Sequence, residues 1–162
     1  MNSIVRGFTK ILATAAIGLT FSSAVVSQST NTNGYVCDSK NPGGEDTKLY
    51  YREQNGIAEN ISGNASFPVV CPLALASLEA DYDILIRLGN GDNMTQTFQC
   101  ALEEYDLGNN KVRSIGKSMT RPPFIVDAIV WPGYRLRDTN NTLSIRCILP
   151  PKGQVGLLSW TK

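Results

Sequence analysis

The chain has 162 residues, with 15 basic and 14 acidic side chains, a net charge of +1, four cysteines and no histidine. A balance this close to neutral excludes the surplus of Lys and Arg by which nucleic acid and anionic membranes are held. The lack of histidine removes the commonest general base, triad partner and metal ligand, and most hydrolase mechanisms with them.

Arg6 and Lys10 flank the start of an apolar, alanine-rich run over residues 11–21, which small residues follow. This is the pattern of a secretory signal peptide, and its compact charged start and Ala-rich core look bacterial. Cleavage fits after Ala24 or after Ser27; the second is preferred, which makes residues 1–27 the signal peptide. The run falls short of the roughly 20 apolar residues that span a bilayer, and no later stretch approaches that length. The first cysteine, Cys37, lies too far downstream for lipid attachment at the cleavage site. The mature protein is therefore expected to be soluble, secreted or periplasmic, with no membrane span and no nucleic-acid partner.

Without Arg6 and Lys10, thirteen basic side chains face fourteen acidic ones. Residues 28–33 are polar and aperiodic and are expected to form a flexible mature N-terminus. Residues 34–162 then make a single domain, long enough to bury about two thirds of its unfolded surface.

From Gly34 onward the chain breaks into short β-like runs between strong turn signals: Pro42-Gly43-Gly44, Asn55-Gly56, Gly63-Asn64, Gly89 to Asn93, Gly108-Asn109-Asn110, Pro122-Pro123, Pro132-Gly133 and Pro150-Pro151. Residues 73–80, rich in Ala and Leu, are the one helical candidate. Tyr82, Ile84, Ile86 and Leu88 alternate with Asp83 and Arg87. Phe98, Cys100 and Leu102 share a face opposite Thr97, Gln99 and Glu103, and Leu143, Ile145, Cys147 and Leu149 share another. Phe124, Val126, Ala128 and Val130 are expected to continue this period-2 pattern of half-buried strands. Gly89 to Asn93 reads as a hairpin turn between the strands on either side. Eight or nine short strands without crossover helices predict an all-β fold, an antiparallel β-sandwich of jelly-roll type, with a closed β-barrel as the alternative. No internal repeat stands out beyond a short echo between Cys71-Pro72-Leu73 and Cys147 to Pro150.

Cys37, Cys71, Cys100 and Cys147 all lie beyond the signal, in apolar strand-like contexts, and those whose phase can be read share the buried face. Gaps of 33, 28 and 46 residues lack the closely spaced pairs of tetrahedral zinc sites, so two disulfides are expected. Four cysteines allow three pairings; Cys37 with Cys71 and Cys100 with Cys147 is preferred, because each bond then closes within a neighbouring group of strands.

Carboxylate chemistry could come from Asp81 with Asp83, or from Glu103, Glu104 and Asp106, as an acid and base pair for glycan hydrolysis. The plainer reading puts Asp81 and Asp83 on an outward strand face and Glu103 to Asp106 ahead of a turn. Asn90, Asp92 and Asn93, with Asp81 and Asp83 nearby in sequence, offer oxygen ligands for calcium, but a turn accounts for the same residues. No metal or cofactor is expected. Trp131-Pro132-Gly133-Tyr134 places two rings on a short loop, and Trp131 and Tyr134 are the candidate ligand-binding residues, as a sugar-stacking platform that Tyr50, Tyr51 and Trp160 could extend. The competing reading has the tryptophans cover the ends of the core. Asn60, Asn64, Asn93 and Asn140 each begin an Asn-X-Ser/Thr sequon and are expected to be unmodified in a bacterial setting. Arg135, Arg137 and Arg146 alternate with apolar positions, as on a solvated strand face.

The stretches Gly56 to Asn60, Val69 to Leu73 and Ser144 to Pro151 resemble a loose group of small secreted bacterial proteins. That resemblance implies a signal peptide and paired cysteines in a β-rich domain, and it brings no activity or site residues. The leading functional expectation is an exported, non-enzymatic binding or accessory module for a glycan or protein ligand. The alternatives are a small carboxylate-dependent glycan hydrolase and an assembly subunit that pairs through an edge strand.

Overall fold

The computed structural model describes residues 29–33, 37–39, 49–52, 56–75 and 80–162. Eleven strands run along them: β1 (Ser29–Asn33), β2 (Asp38–Ser39), β3 (Leu49–Arg52), β4 (Ile57–Asn60), β5 (Phe67–Leu73), β6 (Tyr82–Asn90), β7 (Gln96–Tyr105), β8 (Lys111–Arg121), β9 (Val126–Tyr134), β10 (Thr142–Leu149) and β11 (Gly153–Thr161). They form two antiparallel sheets. The first has the order β3-β4-β11-β6-β9, with β1 also on β11; the second has the order β2-β5-β10-β7-β8. The two sheets are not closed into a barrel, so the fold is a β-sandwich.

The topology is that of a folded ribbon. β4 pairs with β11 in the first sheet while β5, which follows β4, pairs with β10 in the second. β6 pairs with β9 in the first sheet while β7 pairs with β8 in the second. Each antiparallel pair thus continues from one sheet into the other, as in a jelly roll. Gly89 to Asn93 is accordingly not a hairpin turn: β6 and β7 lie in different sheets, and this segment arches across the sandwich.

Alternation places the core as expected on β6, β7 and β10, where Ile84, Ile86, Leu88, Phe98, Leu102, Ile145 and Leu149 are fully buried. On β9 the phase is the reverse of the predicted one. Ile129 and Trp131 are buried, whereas Val126 and Val130 face solvent and Phe124, just before the strand, is 71% exposed. Both parities of this run are apolar, so alternation alone does not select the inner face. Residues 29–33 are not a free terminus but strand β1, registered from Ser29 opposite Thr161 to Asn33 opposite Leu157. In the helical candidate, Leu73 ends β5 and Ala80 is buried, while residues 76–79 lie outside the described ones.

The cysteines pair as expected, Cys37 with Cys71 and Cys100 with Cys147. Cys100 and Cys147 face each other across β7 and β10, and Cys37 just precedes β2, which runs beside β5. Both bonds staple the second sheet from its core side, where all four cysteines are buried.

On one side of the sandwich the edge strands β8 and β9 lie next to each other and are joined by side chains. Trp131 Nε1 donates to the Ile115 carbonyl at 3.0 Å, Lys117 Nζ to that of Val130, and Arg113 to that of Arg135 at 3.3 Å. The Ala128 amide donates to Asp127 Oδ1 at 2.7 Å. Backbone groups that a foreign strand would need are thereby occupied, which works against edge-strand assembly along this seam.

Candidate functional site

Trp131 and Tyr134 do not form an open stacking platform. Each is 2% exposed. Between them β9 carries a bulge: Trp131 sits opposite Ile84 and Tyr134 opposite Tyr82, with Gly133 at a φ of 62° that a side chain would oppose. The extra residue turns both rings inward although they are three positions apart. The Tyr134 hydroxyl donates to Glu104 Oε2 at 2.7 Å, and the Arg113 guanidinium lies 4.7 Å from its ring centroid. Trp160 is likewise buried. Tyr50 and Tyr51 belong to β3, whose side chains lie outside the description.

The candidate carboxylates do not converge. Glu103 and Glu104 are neighbours on β7, so they project to opposite faces of the second sheet. Glu104 points into the sandwich and is fully buried; it accepts from Tyr134, from Asn141 Nδ2 at 2.7 Å and from the Arg137 amide at 2.8 Å. Burial is the largest influence on its carboxyl and acts to raise its pKa. These three hydrogen bonds and the charge of Arg113 together outweigh it and hold the group below its ordinary value. Asp81 pairs with Arg135 at 2.8 Å, and Asp83 accepts from the Gly133 amide at 2.9 Å. In the segment weighed against a turn as a calcium loop, Asn90 is buried and accepts from the Asp92 amide, while Asp92 accepts from Gln96 and from the Asn93 amide. These oxygens are occupied in holding the arch.

A groove of about 410 Å³ crosses the outer face of the second sheet instead, lined by Gln99, Ala101, Gly116, Ser118, Arg146 and Ile148 with the backbone around Cys100 and Lys117. Strand register explains its shape. Arg146, Ala101 and Gly116 form one row across β10, β7 and β8; Ile148, Gln99 and Ser118 form the next. Ala101 and Gly116 make a low floor, and a Cβ built on Gly116 meets nothing within 4 Å. Gln99, Ser118 and Arg146 stand around it as hydrogen-bonding groups, and Ile148 supplies an apolar rim that is 43% exposed. At one end Glu103 is buried beneath its partners, accepting from Tyr105 Oη at 2.6 Å and Lys111 Nζ at 3.0 Å, with Arg146 Nη2 in an ion pair 3.1 Å from Oε1. Burial, the largest influence, raises its pKa; the hydrogen bonds of Tyr105 and Lys111 and the charges of Arg146 and Lys111 prevail and lower it.

None of these residues stood out in the sequence as a site, and Arg146 read as part of a solvated face. The alternation of β7 and β10 does mark Gln99 and Arg146 as outward. What the sequence lacks is the strand order that sets them side by side.

No protein-family model and no curated protein matches the chain. Among solved structures, it is similar to the CBM36-1 domain of a multidomain xylanase from the hindgut metagenome of Trinervitermes trinervoides, with 11% identity over 83% of this chain and 97% of that one and a TM-score of 0.48. It is also similar to a family 11 carbohydrate-binding module from Clostridium thermocellum in complex with a β-1,3-1,4-mixed-linked tetrasaccharide (13% identity, 86% and 88% of the two chains, TM-score 0.42). A third is the C-terminal family 22 carbohydrate-binding module of Clostridium thermocellum Xyn10B (13% identity, 77% and 91%, TM-score 0.42).

Proposed function

We propose that this protein is an exported, non-enzymatic module that binds a glycan chain along the outer face of its second sheet. The observation that carries this reading is the groove over Ala101 and Gly116. Its volume, about 410 Å³, lies in the range of small-ligand sites, roughly 300 to 1,000 Å³. Its walls offer amide, hydroxyl and guanidinium groups suited to sugar hydroxyls, and it rests on a sheet stapled by two disulfides, so little order has to be gained on binding. The one carboxylate at its end, Glu103, is engaged by two donors, Tyr105 and Lys111, and an ion pair with Arg146, and has no second acid beside it among the described residues to complete a hydrolytic pair. The disulfides suit the oxidising compartment that the leader-like N-terminal segment implies.

A glycan array probed with the oxidised protein and with Gly116→Leu tests the reading. The open space above Gly116 lets the leucine stand in the groove without strain on the sheet. Signals for the parent that vanish in the variant support the site. A blank array for the parent overturns the glycan reading and turns the search to a protein ligand.

A further inference from the structure

We propose that the glycan is anionic and that Arg146 receives its carboxylate or sulfate groups, an inference that rests on the glycan reading above. Arg146 lies on β10, the middle strand of the second sheet, and its row neighbours are Val70 on one side and Ala101 and then Gly116 on the other. None of these carries a side-chain acceptor. One guanidinium nitrogen meets Glu103 Oε1 at 3.1 Å; the remaining donors have no protein acceptor among the described residues. A planar fork with unused N–H groups beside an open groove matches the two oxygens of a carboxylate or sulfate.

The exposure of the charges decides the sign of the surface. The Glu103 side chain is 2% exposed, whereas those of Arg146 and Lys111, which share its Oε1, are 36% and 43% exposed. Two cations neutralise one buried anion and present the surplus to solvent. Among the described residues, no acidic side chain lines the groove, and Asp38, in the same row, lies on β2 beyond Val70, about 10 Å from the Arg146 strand at the usual strand spacing. A neutral chain needs no such excess, and an acidic chain is attracted by it.

Calorimetric titration of the oxidised full chain would separate the possibilities with four probes: oligogalacturonate for carboxylates, a heparin-derived hexasaccharide for sulfates, and neutral cellohexaose and xylohexaose. The expected result is binding of at least one anionic probe that weakens as salt is raised. Arg146→Gln should weaken it at least tenfold, Arg146→Lys less, and Arg87→Gln, a matched loss of charge on the outer face of the other sheet, not at all. Melting curves confirm folding of each variant, since Glu103 keeps Lys111 and Tyr105 when Arg146 is replaced. Binding of the neutral probes, unchanged in Arg146→Gln, would overturn this proposal and keep the glycan reading. Equal losses in Arg87→Gln and Arg146→Gln would overturn it as unspecific charge attraction. Silence of all four probes, with a blank array, would overturn both.

Discussion

Asn60 and Asn90 do the same work at two equivalent corners of the ribbon. The Asn60 carboxamide donates to the carbonyls of Leu149 and Pro150 at 3.0 Å and of Ala65 at 2.9 Å, and its oxygen accepts from the Ser62 amide at 2.9 Å. That of Asn90 donates to Arg121 at 3.1 Å, Pro122 at 3.0 Å and Met94 at 2.8 Å, and accepts from the Asp92 amide at 3.0 Å. Each asparagine ends a strand of the first sheet and clamps a chain leaving the second sheet through a Pro-Pro pair. The residue after each pair, Phe124 or Lys152, has a positive φ, 59° and 58° respectively. In the sequence only the two Pro-Pro pairs show this repeat, because the rest of what recurs is a backbone corner and one amide.

Asn60→Ala and Asn90→Ala should each therefore lower stability by about 2 to 4 kcal/mol, because each leaves buried carbonyls without a donor. Urea unfolding would show a shifted midpoint with an unchanged slope. Because Asn60 is buried within its own sequon, expression in a glycosylating host should leave it unmodified in the folded protein, while the exposed Asn64, Asn93 and Asn140 remain open to modification. Peptide mass mapping reads this directly.

Acid sensitivity should centre on β7. The folded pKa values of Glu103 and Glu104 lie below the ordinary 4.5, so their ionised forms favour the folded state above about that pH. This contribution fades as pH falls from there through the depressed values. The midpoint of thermal unfolding should drop as pH falls below about 4.5, and less steeply in Glu104→Gln. At pH 7 the same variant should lose about 1 to 3 kcal/mol, since a neutral amide cannot accept as Glu104 does from Tyr134, Asn141 and Arg137.

Reduction should be costly. The disulfides close sequence separations of 34 and 47 residues. By chain entropy each constrains the unfolded state by about 4 kcal/mol. Paired Cys→Ser replacement at either bond should show that loss in denaturant titrations, with the two losses close to additive.

Both tryptophans should emit as buried indoles. Iodide should quench neither Trp131 nor Trp160 in the folded protein, and a bound glycan should leave their emission unchanged, because no tryptophan lines the groove. A large change on binding would place the ligand elsewhere.

Strand alternation made the sandwich and the core faces of β6, β7 and β10 legible in the sequence; it put the cysteines on the buried face but left three pairings open, of which the sequentially nearest one is formed. It failed on β9, where Ile125, Val126, Ile129 and Val130 are apolar at both parities and a bulge at Gly133 shifts the phase before Tyr134. Glu104 was legible in principle, since it continues the inward series Phe98, Cys100, Leu102; its acidic neighbours and the following turn masked that. Asn90 looked like a hairpin residue because a turn signal is local, whereas the sheet that the next strand joins is set by distant partners. The groove is the extreme case. Gln99, Gly116 and Arg146 belong to three strands, and only the order β10-β7-β8 brings them together.

The pairing of β1 with β11 also has a mechanical side. Ser29 and Thr161 sit opposite each other, so tension applied through these two residues would peel the strands apart rung by rung, with no need to shear a row of hydrogen bonds at once. Release would come at low force. The length paid out would then be short, because the residues enclosed between Cys37 and Cys71 and between Cys100 and Cys147 stay locked behind covalent bonds.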